Sequence, residues 1–196
     1  MDPIRDALRV SWVCIAWSVA SGLASLIVGI ITGALSLGGL GASVLVDVGS
    51  SGVLVWRFRH ERDLGNFPEA AERRAQIVAA TGLVIIGVLL LATASEHLVA
   101  GVHPETPAVA LVLAAANLVV LPVLARWKYR VADAVGSAAL RTDAHITMVG
   151  TATSALTVVG LAVDRAFGWW WADAVAAMLI GVIAGWQGIR SLAAAR

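Results

Sequence analysis

The chain has 196 residues, of which 59% are hydrophobic and 14% charged, with a formal net charge of +1. A soluble domain carries about 25% charged residues, and a net charge this near zero excludes bulk electrostatic attraction to nucleic acid. The single cysteine, Cys14, excludes an intrachain disulfide and any multi-thiolate site within one protomer.

Six apolar stretches follow in order, at about 11–33, 36–56, 75–99, 107–125, 143–163 and 169–190. Each is near the roughly 20 residues that a helix needs to cross about 30 Å of hydrocarbon. The first runs too long for a signal-peptide core and reads as a retained helix. A Gly/Ser/Leu-rich junction from Gly33 to Gly41 predicts a tight antiparallel hairpin between the first two helices. Residues 57–72 form a polar loop, in which Pro68 followed by Glu69 and Glu72 predicts a helix start with acids at its positive end. A loop on the other side, around Gly101–Thr106, contains His103, Pro104 and Glu105. Pro122 sits late in the fourth helix, where neighbouring helices can tolerate it. Residues 126–142 predict a basic, partly amphipathic helical connector. The expected fold class is therefore all-α: one six-helix transmembrane bundle over residues 1–196, with no C-terminal soluble domain expected.

The cations sort by side. Arg5 and Arg9 precede the first span; Arg57, Arg59, Arg62, Arg73 and Arg74 flank or fill the loop after the second. Arg126, Lys128, Arg130 and Arg141 follow the fourth, and Arg190 and Arg196 end the chain. Only Arg165 falls on the opposite side. Cationic loops stay in the cytoplasm during insertion, so both termini are expected to be cytoplasmic, in an inner (plasma) membrane. Trp169, Trp170 and Trp171 form an aromatic belt at the outer interface, with Trp56 and Trp127 at the inner one.

Polar side chains within the spans carry the functional information, because each costs free energy in hydrocarbon. Cys14, Ser18, Ser21, Ser25 and Thr32 share one face of the first helix. Ser36, Ser43, Asp47 and Ser50 recur at helical spacing on the second, and Asp143, Thr147, Thr151 and Ser154 do so on the fifth. Such stripes let helices approach closely, or line a shared hydrophilic path. Asp47 stands apart. It lies near mid-membrane, where an ionised carboxylate costs about 2.5–3.5 kcal/mol on insertion scales. It reads as a cation or proton site, against the alternative of a protonated carboxyl hydrogen-bonded between helices. Glu96, His97 and Asp173 lie near outer helix ends and read as interface or interhelical hydrogen-bonding residues. Asp143 reads either as a charge complementing a helix N-terminus or as a site residue. It and His145, two positions apart, point in different directions and make a weak metal pair.

Several stretches together resemble a known family. They are IAWSVASG (15–22), ALSLGGLGASVLVD running into VLVWRF (34–58), ERRA (72–75) and SEH (95–97). LPVLARWK (121–128), GSAALRTDA (136–144) and GWWWADAVAAMLI (168–180) complete the set. In this order and topology the chain resembles the transmembrane domain of the cation diffusion facilitators, the cation efflux family, in the branch lacking a cytoplasmic C-terminal domain. The resemblance implies a transport site between the second and fifth helices, each giving two ligands one turn apart. Those positions are Ser43 and Asp47 on the second helix and Ile146 and Gly150 on the fifth. An Asn and an acid, common in the family's first helix, are here Ser18 and Ser21. With Ile146 and Gly150 unable to ligate, a tight tetrahedral zinc site is excluded, and a harder or more weakly held ion, or a proton, is expected.

The expected metal-site residues are Asp47 and Ser43, with Asp143 and Thr147 recruited by a shift of helix register. The expected function is divalent cation efflux by cation/proton antiport, in a homodimer. Zn²⁺, Mn²⁺, Co²⁺, Fe²⁺ or Cd²⁺ would be the cargo, protons the counter-ion and the lipid bilayer the partner, with no resident cofactor. The alternative is a membrane scaffold or partner subunit that has lost transport. No HExxH, no Ser/His/Asp arrangement and no acidic loop cluster points to an enzyme.

Overall fold

The computed structural model describes residues 3–64, 69–101, 103 and 107–194. Among them all regular structure is helical: α1 (Pro3–Thr32), α2 (Leu35–Leu64), α3 (Glu69–Ala100), α4 (Ala108–Val135), α5 (Ala138–Phe167) and α6 (Trp171–Ala194). Each contains a stretch long and apolar enough to span a bilayer. Pro68 and the loop residues Pro104 and Glu105 lie outside the described residues; α3 is helical from Glu69, the first described residue after Pro68.

The helices outrun the apolar stretches that announced them. α2 continues to Leu64, into the expected polar loop, and α4 runs through Pro122 to Val135. The expected connector over 126–142 is thus no separate element. It consists of the end of α4, a turn at Gly136–Ser137 and the start of α5. Gly136 takes the left-handed conformation (φ 65°) that caps α4, and its N–H donates to the Ala132 carbonyl. Ser137 caps α5, its hydroxyl accepting from Leu140 N–H at 3.3 Å. This short turn sets the C-terminal end of α4 and the N-terminal end of α5 side by side in fixed register.

Packing divides the bundle in two. α1 packs chiefly on α2 and α4 on α5, while α1–α4 and α2–α5 contacts join these pairs into a four-helix unit. α3 and α6 form a third pair, which meets the unit through α2 and α5. Close backbone approach at small residues joins α3 to α6, as lipid offers no hydrophobic drive for helix association. A Cβ on Gly87 of α3 would come within 2.7 Å of the Gly181 carbonyl on α6. Inside the four-helix unit, Trp17 Nε1 donates to Asn117 Oδ1 at 3.2 Å, tying α1 to α4. Large apolar side chains such as Ile30, Ile31, Val119 and Trp186 face outward, where a soluble protein would place charges.

Candidate functional site

The buried face of α4 follows a regular stripe, Ala114, Asn117, Leu121, Leu124, Lys128 and Val131. Those steps of three and four keep one face inward, so Lys128 enters the bundle while its neighbours Arg126 and Arg130 stay exposed. Its side chain is 0% exposed. Lys128 is therefore no cytoplasmic loop cation, as charge sorting had placed it. It is an interior ammonium on a helix that has not yet ended.

All three N–H bonds of that ammonium have partners. Nζ lies 2.6 Å from Asp143 Oδ2, 3.0 Å from Ser51 Oγ and 2.8 Å from Thr147 Oγ1. Asp143, 2% exposed, also accepts from Ser50 Oγ at 2.5 Å and from Ser51 Oγ at 3.1 Å. The reading of Asp143 as a helix-terminal charge is thereby corrected. α5 begins five residues earlier, at Ala138, so position 143 is in its second turn and faces inward. Asp143 and His145 part company as expected; His145 is exposed, beside the Tyr129 hydroxyl at 3.4 Å.

Asp47 sits next to this pair under different conditions. It is 5% exposed, yet its donors are long: Thr147 Oγ1 at 3.2 Å, Ser18 Oγ at 3.4 Å and Cys14 Sγ at 3.5 Å. The Lys128 ammonium is 3.9 Å from Oδ1, an electrostatic neighbour beyond hydrogen-bonding distance. Two carboxyl groups thus share one ammonium, which bonds to Asp143 and stands off from Asp47. The polar stripes of α1, α2 and α5 thus do converge, through Cys14, Ser18, Asp47, Ser50 and Thr147. Other members of those stripes do not join. Thr151 and Ser154 bond carbonyls of their own helix, and the buried Ser21 and Ser25 hydroxyls find no hydrogen-bond partner among the described residues.

Beside Asp47 lies a small cavity of about 20 Å³, enough for one water-sized occupant. Ser43, Asp47, Ile146 and Gly150 all line it, so the four positions singled out on the second and fifth helices meet around one space. Thr147 and, from α6, Gln187 add polar atoms to the lining, whereas Asp143 is not part of it. Ser43 Oγ donates to the Leu40 carbonyl at 2.9 Å, which leaves its lone pairs free for an occupant. No group of three or more His, Cys, Asp or Glu side chains in metal-binding arrangement occurs among the described residues.

Sequence reading missed Lys128 and Gln187. The signal for Lys128 was there: it falls seven residues after Leu121 and four after Leu124, on the apolar stripe of α4. Gln187 carried no signal beyond being an uncharged polar residue in an apolar helix.

At the opposite end of the bundle, Asp173 on α6 (1% exposed) accepts from Leu35 N–H at 2.7 Å, from Ser36 N–H at 3.3 Å and from the Ser36 hydroxyl. It caps the N-terminus of α2 from another helix, and Thr157 Oγ1 of α5 donates to the Ser36 carbonyl at 3.2 Å. The expectation of an interhelical hydrogen-bonding role holds for Asp173. Glu96 is exposed and His97 half-buried.

Comparison with known families matches residues 11–195 to the cation efflux transmembrane domain. No curated protein matches the chain.

Proposed function

The chain belongs to the cation efflux family, a family of metal cation transporters with multi-pass membrane domains, and we propose that it exports a divalent cation in exchange for protons, with Asp47 holding the cargo. One observation carries this reading: Asp47 lines a cavity shared with Ser43, Ile146 and Gly150, and its present donors hold it loosely.

A cation entering that space meets the Asp47 carboxylate and the hydroxyl oxygens of Ser43 and Thr147, with the Gln187 carboxamide at the edge. These are oxygen donors, which suit Mn²⁺ and similarly hard ions better than a soft, tightly held tetrahedral ion. The bonds from Ser18, Cys14 and Thr147 to Asp47 are at the long end of hydrogen bonding, so exchanging them for an ion costs little. A carboxylate in low dielectric requires a positive partner, and proton and metal compete for it. Protonation from the outer side then releases the cargo, in an inner membrane with both termini cytoplasmic. The working unit of this proposal is a homodimer, as the family resemblance implies.

Flux into proteoliposomes under an imposed pH gradient tests this, with wild type beside Asp47→Asn and Zn²⁺, Mn²⁺, Co²⁺, Fe²⁺ and Cd²⁺ offered in turn. The expected outcome is uptake of at least one ion by wild type and background flux in the variant. Undiminished transport by Asp47→Asn contradicts the mechanism. The second reading, a scaffold or partner subunit that has lost transport, is favoured by Ile146 and Gly150, which offer no ligand atoms. It requires that folded, oriented wild-type protein move none of the five ions.

A further inference from the structure

The two inner carboxylates are not equivalent. Asp143 is saturated by short contacts, from the Lys128 ammonium at 2.6 Å and Ser50 Oγ at 2.5 Å, with Ser51 Oγ also bonded. Asp47, which faces the cavity, receives none of the three ammonium N–H bonds although Nζ is only 3.9 Å from its Oδ1. A displacement of about 1 Å would bring the ammonium to ordinary N–H···O distance from Asp47. Lysine has a flexible four-carbon stem and a compact charge that can make such a move. Thr147 bridges the two positions: its Oγ1 accepts from Lys128 at 2.8 Å, and its one hydroxyl hydrogen is shared between the Asp143 carbonyl at 3.1 Å and Asp47 Oδ1 at 3.2 Å. Two cations cannot share one carboxylate in low dielectric without strong repulsion. Cargo on Asp47 therefore drives the ammonium toward Asp143, and departure of the cargo leaves an uncompensated carboxylate that draws it back.

We infer that Lys128 is the resident counter-cation of Asp47, held in reserve on Asp143 while cargo is bound and moving onto Asp47 when cargo leaves. This rests on the reading of Asp47 as the cargo site. Its consequence is that Asp143 is a positioning residue and no cargo ligand: by retaining the ammonium it keeps Asp47 open. The empty carrier is charge-compensated by its own side chain.

The test is the KM and kcat of cation uptake in proteoliposomes, using whichever of the five ions wild type carries, for Asp143→Asn and for the double variant Lys128→Met/Asp143→Asn. In Asp143→Asn the ammonium loses its anchor and settles on Asp47, so KM is expected to rise about tenfold or more, with kcat changed less. Removing the ammonium as well is expected to bring KM back to the wild-type value or below it. A double variant that stays at the KM of Asp143→Asn makes Asp143 a cargo ligand and overturns the inference. So does a pair of variants with unchanged KM and merely less folded protein, because that is the behaviour of a structural ion pair. If Asp143→Asn cannot be recovered folded, the double variant decides alone: its interior carries no unpaired ammonium, and a KM above wild type overturns the inference. Recovery of wild type alone, with neither variant folded, assigns the pair to structure and also overturns it. Wild-type vesicles that carry none of the five ions defeat the functional reading and this inference with it. Wild-type flux without KM rescue in the double variant defeats the inference alone.

Discussion

Asp47 and Asp173 are the same side chain at similar burial, and they have opposite surroundings. Asp173 is held by stationary donors, two backbone N–H groups at the start of α2 and the Ser36 hydroxyl, and its position joins the α3–α6 pair to the four-helix unit. A helix N-terminus presents N–H groups that need an acceptor whatever the protein does, so a carboxylate there is explained by architecture. Asp47 has a thiol and hydroxyls at 3.2–3.5 Å, an ammonium out of bonding range and a cavity beside it. Nothing in the packing of α2 demands an acid at that place. Burial alone therefore does not identify a functional carboxylate in a membrane; what its donors would lose if they let go does.

Substitutions can sharpen this contrast, with stability read from unfolding titrations in detergent micelles. Lys128→Ala has the largest expected effect, a loss of about 3–5 kcal/mol, because it leaves two buried carboxylates without a cation. A small effect there would mean that Lys128 contributes little to holding the two acids inside the bundle. Asp173→Ala should cost about 2 kcal/mol, since the α2 N–H groups lose their cap. Ser36→Ala, which removes one donor to Asp173 and leaves the backbone bonds, should cost about 1 kcal/mol. Asp47→Asn should stay within about 1 kcal/mol of wild type because its donors are already long, and a cost matching that of Asp173→Ala would break the contrast. Asp133→Ala is the control. Its contact with Arg141 at 3.0 Å joins two largely exposed side chains and should be worth under about 0.5 kcal/mol.

The architecture was legible because hydrophobic length is a coarse signal that lipid enforces. Helix ends were not legible in the same way. Hydropathy marks where apolar residues stop, whereas backbone hydrogen bonding carried α2 to Leu64 and α4 to Val135, beyond that point. The same gap hid half the site. With residues 126–142 read as a connector, Lys128 counts as a loop charge, and Asp143 stays open between a helix-terminal charge and a site residue. With α4 continuous, the step from Leu121 and Leu124 to Lys128 points straight into the bundle. Asp47 was legible as an acid far from either end of its span, and Ser43, Ile146 and Gly150 as its companions. The Asp173 cap could be anticipated only in kind, since its donors at Leu35 and Ser36 lie 138 and 137 residues away in sequence and nothing local names them.

The measurement that reaches the centre of this contrast is cation flux per folded molecule, compared between Asp47→Asn and Asp173→Asn in vesicles of equal protein content. Asp47→Asn should be recovered with near wild-type stability and carry no cation. Asp173→Asn should unfold more easily, yet carry cation at close to the wild-type rate for each molecule that remains folded. Full flux through Asp47→Asn, or its loss in Asp173→Asn alone, would contradict the assignment of Asp47 to transport and Asp173 to architecture.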